Sequence, residues 1–106
     1  MARVIWSPQA LADLEAIGDH LAREAPAYAQ AFVDSLFAAA ERLEVFPNSG
    51  RAVPEIEDAA LREVIHKGYR IFHIVSSSEE ETEAEVEILS VFHSTRQFGG
   101  SEGSEP

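Results

Sequence analysis

Four side chains in the second half of the chain are of the types that phosphodiester chemistry uses: Arg62, Arg70, His93 and Arg96. Cleavage of RNA through its own 2′-hydroxyl needs a proton acceptor, a proton donor, and cations facing a pentacoordinate phosphate. A histidine with arginines on neighbouring strands can supply all three, with Glu63 or His73 as substitutes for the proton carrier. Lys67-Gly68 reads as a turn, so Arg62 and Arg70 can approach each other across a tight hairpin. His93 and Arg96 stand at and just beyond the end of the next β-prone segment. A plainer reading stays open: Arg62 and Arg70 pair with Glu63, Glu85 or Glu87 across strands, where exposed pairs contribute little. His93 is then a strand-end histidine, not a catalyst.

Other chemistries find less support. The chain has no cysteine, which removes disulfides, thiolate metal sites and thiol nucleophiles together. His66 and His73 fall on different strands without metal-ligand spacing, so no metal and no cofactor are expected. The six glycines form no phosphate-binding loop. Ser7 precedes a proline and reads as a helix cap, not a nucleophile.

These residues must be positioned by a small scaffold. A length of 106 residues with 45% apolar side chains is one domain's worth of core. The net charge is −11, unevenly spread. Residues 1–75 carry 11 acidic and 7 basic side chains, whereas residues 76–106 carry 8 acidic ones and Arg96 alone. Such acidity opposes general nucleic-acid binding, which relies on phosphate neutralisation, although a local basic patch remains open. No apolar run approaches the roughly 20 residues of a membrane span, and no signal pattern opens the chain. A cytoplasmic location and no membrane contact are expected. Residues 99–106 hold no large apolar side chain, which predicts a disordered acidic tail after a domain of residues 1–98.

The pattern along the chain is α+β. Arg3 to Trp6 is β-prone. Ser7-Pro8 then starts a helix whose apolar face is Leu11, Leu14, Ile17, Leu21 and Ala25. Pro26 restarts it, and a second helix is expected from about Ala27 to Phe46, with a stripe of Ala29, Phe32, Leu36, Ala39 or Ala40, and Leu43. Pro47-Asn48-Ser49-Gly50 stops it. The two form an antiparallel helical hairpin. Three strands follow: Leu61 to His66, Tyr69 to Val75, and Glu85 to His93, the last with Val86, Ile88, Ser90 and Phe92 on one face. Short loops imply antiparallel pairing, and the N-terminal strand must join this sheet.

Several segments in this order resemble the RelE/ParE toxin family. They are Val4-Ile5-Trp6-Ser7-Pro8-Gln9-Ala10, Phe46-Pro47-Asn48-Ser49-Gly50-Arg51, Leu61-Arg62-Glu63-Val64, Tyr69-Arg70-Ile71-Phe72, and Val91-Phe92-His93-Ser94-Thr95-Arg96. The resemblance runs over about residues 2–98. It implies the toxin of a type II toxin–antitoxin system, neutralised by an antitoxin encoded beside it. Two activities come with it: RelE-like cleavage of messenger RNA on the ribosome, or ParE-like interference with DNA gyrase. RelE-like nucleases tend to a basic face and a terminal aromatic near the catalytic residue. Here Ser94 follows His93, Phe98 lacks a hydroxyl, and the balance is acidic. Gyrase inhibition is therefore the favoured expectation, with no firm catalytic residue. The nuclease set (Arg62, Arg70, His93, Arg96) is the alternative, and an inactive member that only binds antitoxin is a second. The resemblance also implies a ParD-like, ribbon-helix-helix antitoxin that provides any DNA contact. Two surfaces are candidates to receive it: Trp6, Leu11, Tyr28 and Phe32 beside the helical hairpin, and Arg62, Arg70 and Arg96 on the sheet.

Overall fold

A computed structural model describes residues 2–76 and 84–95. The elements run β1 (Arg3–Trp6), α1 (Pro8–Glu24), α2 (Pro26–Glu41) with a 3₁₀ turn at Arg42–Glu44, β2 (Arg51–Ala52), β3 (Leu61–His66), β4 (Tyr69–Ser76) and β5 (Glu85–His93). The sheet order is β1-β5-β4-β3-β2. β1 pairs parallel with β5, and the other pairings are antiparallel. The strand–two helices–three strands order expected from sequence is therefore present, with β2 as an added two-residue strand. The loop between β4 and β5, the tail at 99–106 and Arg96 lie outside the described residues.

The local reasons are visible. Ser7 caps α1 by accepting from the Ala10 N–H at 3.0 Å, and Pro8 occupies the first turn, where its missing N–H costs nothing. Lys67 and Gly68 both have positive φ, 49° and 86°. That is the geometry of a two-residue hairpin whose twist matches its strands.

The helical hairpin packs on one face of the sheet. Ala10 and Leu14 of α1 and Phe32, Leu36 and Ala40 of α2 meet Ile71, Val86, Ile88 and Val91. The α2 stripe is as the periodicity predicts. The α1 stripe holds at Leu14, Ile17 and Leu21, but the first turn departs from it: Ala10 is buried, while Leu11 is 52% exposed. A small residue at the contact lets the helix sit closer, which turns Leu11 outward.

β5 departs from strict alternation. Its register with β4 passes from Phe72↔Ser90 to His73↔Ile88, leaving Leu89 as an extra residue. This bulge reverses the facing of everything after it. Val91 joins the core, and Phe92 lies on the opposite face with its ring 4.9 Å from Phe72. The expected common face of Val86, Ile88, Ser90 and Phe92 is thus split in two. β1 ends opposite Ile88, and α1 covers the edge beyond it. The Ser7 hydroxyl donates to Leu89 O at 3.0 Å, and Asp13 Oδ2 accepts from Val91 N at 2.9 Å. Asp13 thereby satisfies a backbone donor that the ladder leaves free.

Candidate functional site

The β3–β4 hairpin decides how the candidate arginines sit. Arg62 is paired with His73, and Ile65 with Arg70. An odd offset between the two positions puts Arg62 and Arg70 on opposite faces of the sheet. The expected approach of the two guanidiniums across the hairpin does not occur. Alternation from the wrong starting point conceals this, because one residue of offset exchanges the faces.

Arg70 lies on the face away from the helices and is buried. Its Nε donates to Glu63 Oε1 at 2.6 Å, and its two terminal nitrogens grip Glu55 at 2.7 Å each. The guanidinium carbon also stands 5.2 Å from the centre of the Phe72 ring and 6.0 Å from that of Phe92. Glu63 is fully buried, and its other oxygen accepts from Arg51 Nε at 2.8 Å. The cross-strand pairing of Arg70 with Glu63 matches the plainer sequence reading. The second carboxylate, Glu55, carries no periodic signal, because it belongs to an irregular segment. The hydrogen bonds from Arg70 lower the Glu55 pKa to about 2, against a smaller opposing effect of burial. The same bonds raise Arg70 above its ordinary value.

Arg62, on the helix-facing side, donates to Gly50 O at 3.2 Å. Beside it, His73 is completely buried. A Cβ on Gly50 would fall 2.6 Å from the His73 ring, so this position has room for glycine alone. His73 Nδ1 lies 3.4 Å from Ile71 O, and Nε2 has no hydrogen-bond partner among the described residues. Burial pushes the His73 pKa down, and the Arg62 charge adds to that.

His93 is exposed at the far end of β5. Its Nδ1 accepts from the Thr95 N–H at 3.2 Å and lies 2.8 Å from the Thr95 hydroxyl. A backbone N–H can only donate, so the neutral ring carries its proton on Nε2. His93 therefore presents a donor to solvent, with its lone pair already engaged. Its ring meets Tyr69 edge-on at 5.1 Å. Tyr69 meets Phe32, and Phe32 meets Tyr28, each at 5.5 Å. Lys67 Nζ stands 6.0 Å from the Phe32 ring centre.

The helical-hairpin candidates separate in the same way. Phe32 is core, and Trp6 is partly buried, stacked on Phe37 at 5.3 Å with its N–H donating to Glu41 at 3.3 Å. Leu11 is exposed, and Tyr28 is 49% exposed. Among the described residues no group of three or more His, Asp or Glu side chains is arranged to hold a metal ion. No helix among them is long and apolar enough to cross a membrane.

Comparison with known proteins gives a consistent picture. The family model described as the ParE toxin of the type II toxin–antitoxin system parDE matches residues 4–98. The chain is similar to Toxin RelE2 of Caulobacter vibrioides, with 40% identity over 65 residues, 61% of this chain and 69% of that protein. Its fold is similar to that in the chromosomal ParDE system from P. aeruginosa, with TM-score 0.71 and 24% identity, covering 88% of this chain and 96% of that one. It is also similar to a chain of the RelBE2 toxin–antitoxin complex from Mycobacterium tuberculosis, with TM-score 0.54 and 24% identity over 87% and 96% of the two chains. From within the first strand to beyond the last, the match is continuous, and the chain belongs to the ParE toxin family of type II toxin–antitoxin systems.

Proposed function

We propose that this toxin acts by inhibiting DNA gyrase and not by cutting RNA, and that a ParD-like ribbon-helix-helix antitoxin neutralises it in the cytoplasm. The observation that carries this reading is the state of the arginines. Arg70 is enclosed by two carboxylates, and Arg62 points to the other face, bound to a backbone carbonyl. Among the described residues no arginine stands free beside His93 to receive a phosphate. His93 has its lone pair occupied, so it is not poised as a base. The ParE family membership supports the same target. Any DNA contact then belongs to the antitoxin.

The test is direct. Purified chain, gyrase and relaxed plasmid are expected to give lost supercoiling or stabilised cleavage, and expression without antitoxin is expected to arrest growth. Harmless expression of folded protein would favour a member that only binds antitoxin.

One observation favours the second reading, ribosome-dependent message cleavage. Tyr69, His93 and the positively charged Lys67 converge at the tip of the β3–β4 hairpin. Message cleavage in translating ribosomes, abolished by His93→Ala, would overturn the gyrase reading.

A further inference from the structure

The segment between α2 and β3 is held to the sheet from both sides. Toward the helices, Gly50 lies against the His73 ring, and its carbonyl accepts from Arg62 at 3.2 Å. On the other face, Arg51 donates to Glu63 at 2.8 Å and Glu55 accepts from Arg70 at 2.7 Å. The stretch from Ser49 to Ala52 is shallowly seated. Ser49, Arg51 and Ala52 are exposed, and the buried residue among them, Gly50, has no side chain. Its regular pairing is confined to the two residues of β2. Lifting this stretch withdraws almost no apolar area, so it opens more readily than the core. Val53, 2% exposed, anchors the chain just beyond it.

The ring beneath Gly50 is housed for one protonation state. His73 Nδ1 lies 3.4 Å from the Ile71 carbonyl. A carbonyl only accepts, so the proton of the neutral ring sits on Nδ1. Nε2 has no partner among the described residues, and a Cβ on Gly50 would fall 2.8 Å from it. A proton added by acid therefore points into the glycine. The groups around the ring do not accept it. β3 contributes Arg62, a like charge in register with His73, and β5 contributes Ile88. The charged side chains of the overlying segment, Arg51 and Glu55, are engaged on the opposite face. A buried imidazolium with an unpaired N–H beside a guanidinium is strongly disfavoured. Burial, and then the Arg62 charge, hold the His73 pKa down accordingly. Water reaches Nε2 most readily where Gly50 is displaced, since β3 and β5 close the flanks.

We infer that His73 controls a latch: its protonation lifts Ser49 to Ala52 off β3, while Val53 and the Glu55–Arg70 pair stay in place. The open form hydrates Nε2 and releases Arg62 from the Gly50 carbonyl, giving the chain a cation that the closed form keeps engaged. The latch is closed above the ordinary histidine value of 6.5, and the open population grows as pH falls below it. The outer hold does not respond in that range, because Glu55 stays ionised down to about 2. The outer face is thus the hinge and the inner face the catch.

The test is amide exchange of the ¹⁵N-labelled chain against pH and urea, with rates corrected to those of an unstructured chain. Below 6.5, protection of the amides joining β2 to β3 is expected to fall about tenfold per pH unit, the linkage of one proton. That loss is expected to depend little on urea, because little surface opens. Amides joining β4 to β5 are expected to stay better protected and to respond steeply to urea. His73→Gln is expected to abolish the pH slope at β2, whereas His66→Gln, at the far end of β3, is expected to keep it. Should His73→Gln not fold, the ring nitrogen shifts of His73 in the wild-type chain decide. Protonation is expected there while the β4–β5 amides remain protected. Protonation of His73 only when those amides also exchange, with one shared urea dependence, overturns the latch and leaves His73 a core residue. Protection at β2 that is flat with pH, or a slope that survives His73→Gln, overturns it as well.

Discussion

Toward the helices, the sheet presents Ile71, Val86, Ile88 and Val91 to Leu14, Phe32, Leu36 and Ala40. Away from them, it presents Glu63, Arg70 and Phe72, closed over by Glu55 and Arg51. The first face is held by apolar area removed from water, a diffuse interaction shared among many contacts. The second depends on a few charges that are stable only while each keeps its partners. The contrast bears on function. A toxin that uses Arg70 to hold a buried carboxylate has one fewer cation to offer a phosphate.

The sharpest way to break the comparison is to remove the central charge. Arg70→Ala leaves Glu63 buried beside a partly exposed Arg51, and a loss of about 3–5 kcal/mol is expected by urea unfolding. A loss below about 1 kcal/mol would show that the outer face is not held by its ions. On the inner face, Leu36→Ala opens a cavity at a fully buried site, with an expected cost of about 2–5 kcal/mol. The two faces meet at Gly50. There Gly50→Ala drives a methyl into the His73 ring, and the cost is expected at about 1–3 kcal/mol. A Gly50→Ala, His73→Ala double variant is expected to recover part of that, because the ring it strikes is gone.

Acid separates the faces by a smaller effect. His73 has a lowered pKa in the folded chain, so the unfolded chain takes up its proton first. That contribution is complete above the ordinary histidine value of 6.5 and is lost as pH falls below it. His66, also lowered by burial, adds in the same direction. Glu55 acts later: its contribution is complete above 4.5 and is lost as pH falls towards about 2. Urea midpoints measured against pH are expected to decline in these two windows, inner face first. His73→Gln is expected to reduce the first decline to what His66 contributes. An unchanged slope in that variant would remove His73 from the account.

The inner face was legible in the sequence because burial repeats with the period of the element. The α2 stripe and the core residues Ile71, Val86 and Ile88 follow from spacing alone. The exceptions have identifiable causes. Ala10 replaces Leu11 because close helix approach favours a small side chain. Val91 replaces Phe92 because a single extra residue carries no signature in composition. The outer face was largely illegible. Glu55 lies in an irregular segment, and Arg51 belongs to a two-residue strand too short to show a pattern. Arg62, Arg70 and His93 were identifiable by residue type, but their mutual geometry depends on register, which spacing between charged residues does not encode. Among the described residues β2 pairs only with Arg62 and Glu63 of β3, and that shortness is a fact of pairing and not of sequence.

The extra residue at Leu89 has a consequence for how this chain tolerates length changes. β5 pairs with β4 on both sides of it; upstream its other edge pairs with β1, and from Leu89 on that edge meets the first turns of α1. Leu89 is a spacer looped out between two stretches of one ladder. Deleting it would join Ile88 to Ser90 in a regular ladder, with Ser90 still opposite Phe72 and Val91 opposite Ile71, so Val91 would stay inside and Phe92 outside. A single-codon deletion at this point is therefore closer to a trimmed loop than to a reading-frame error, and its cost falls on the contact in which the Leu89 carbonyl accepts from the Ser7 hydroxyl at the start of α1.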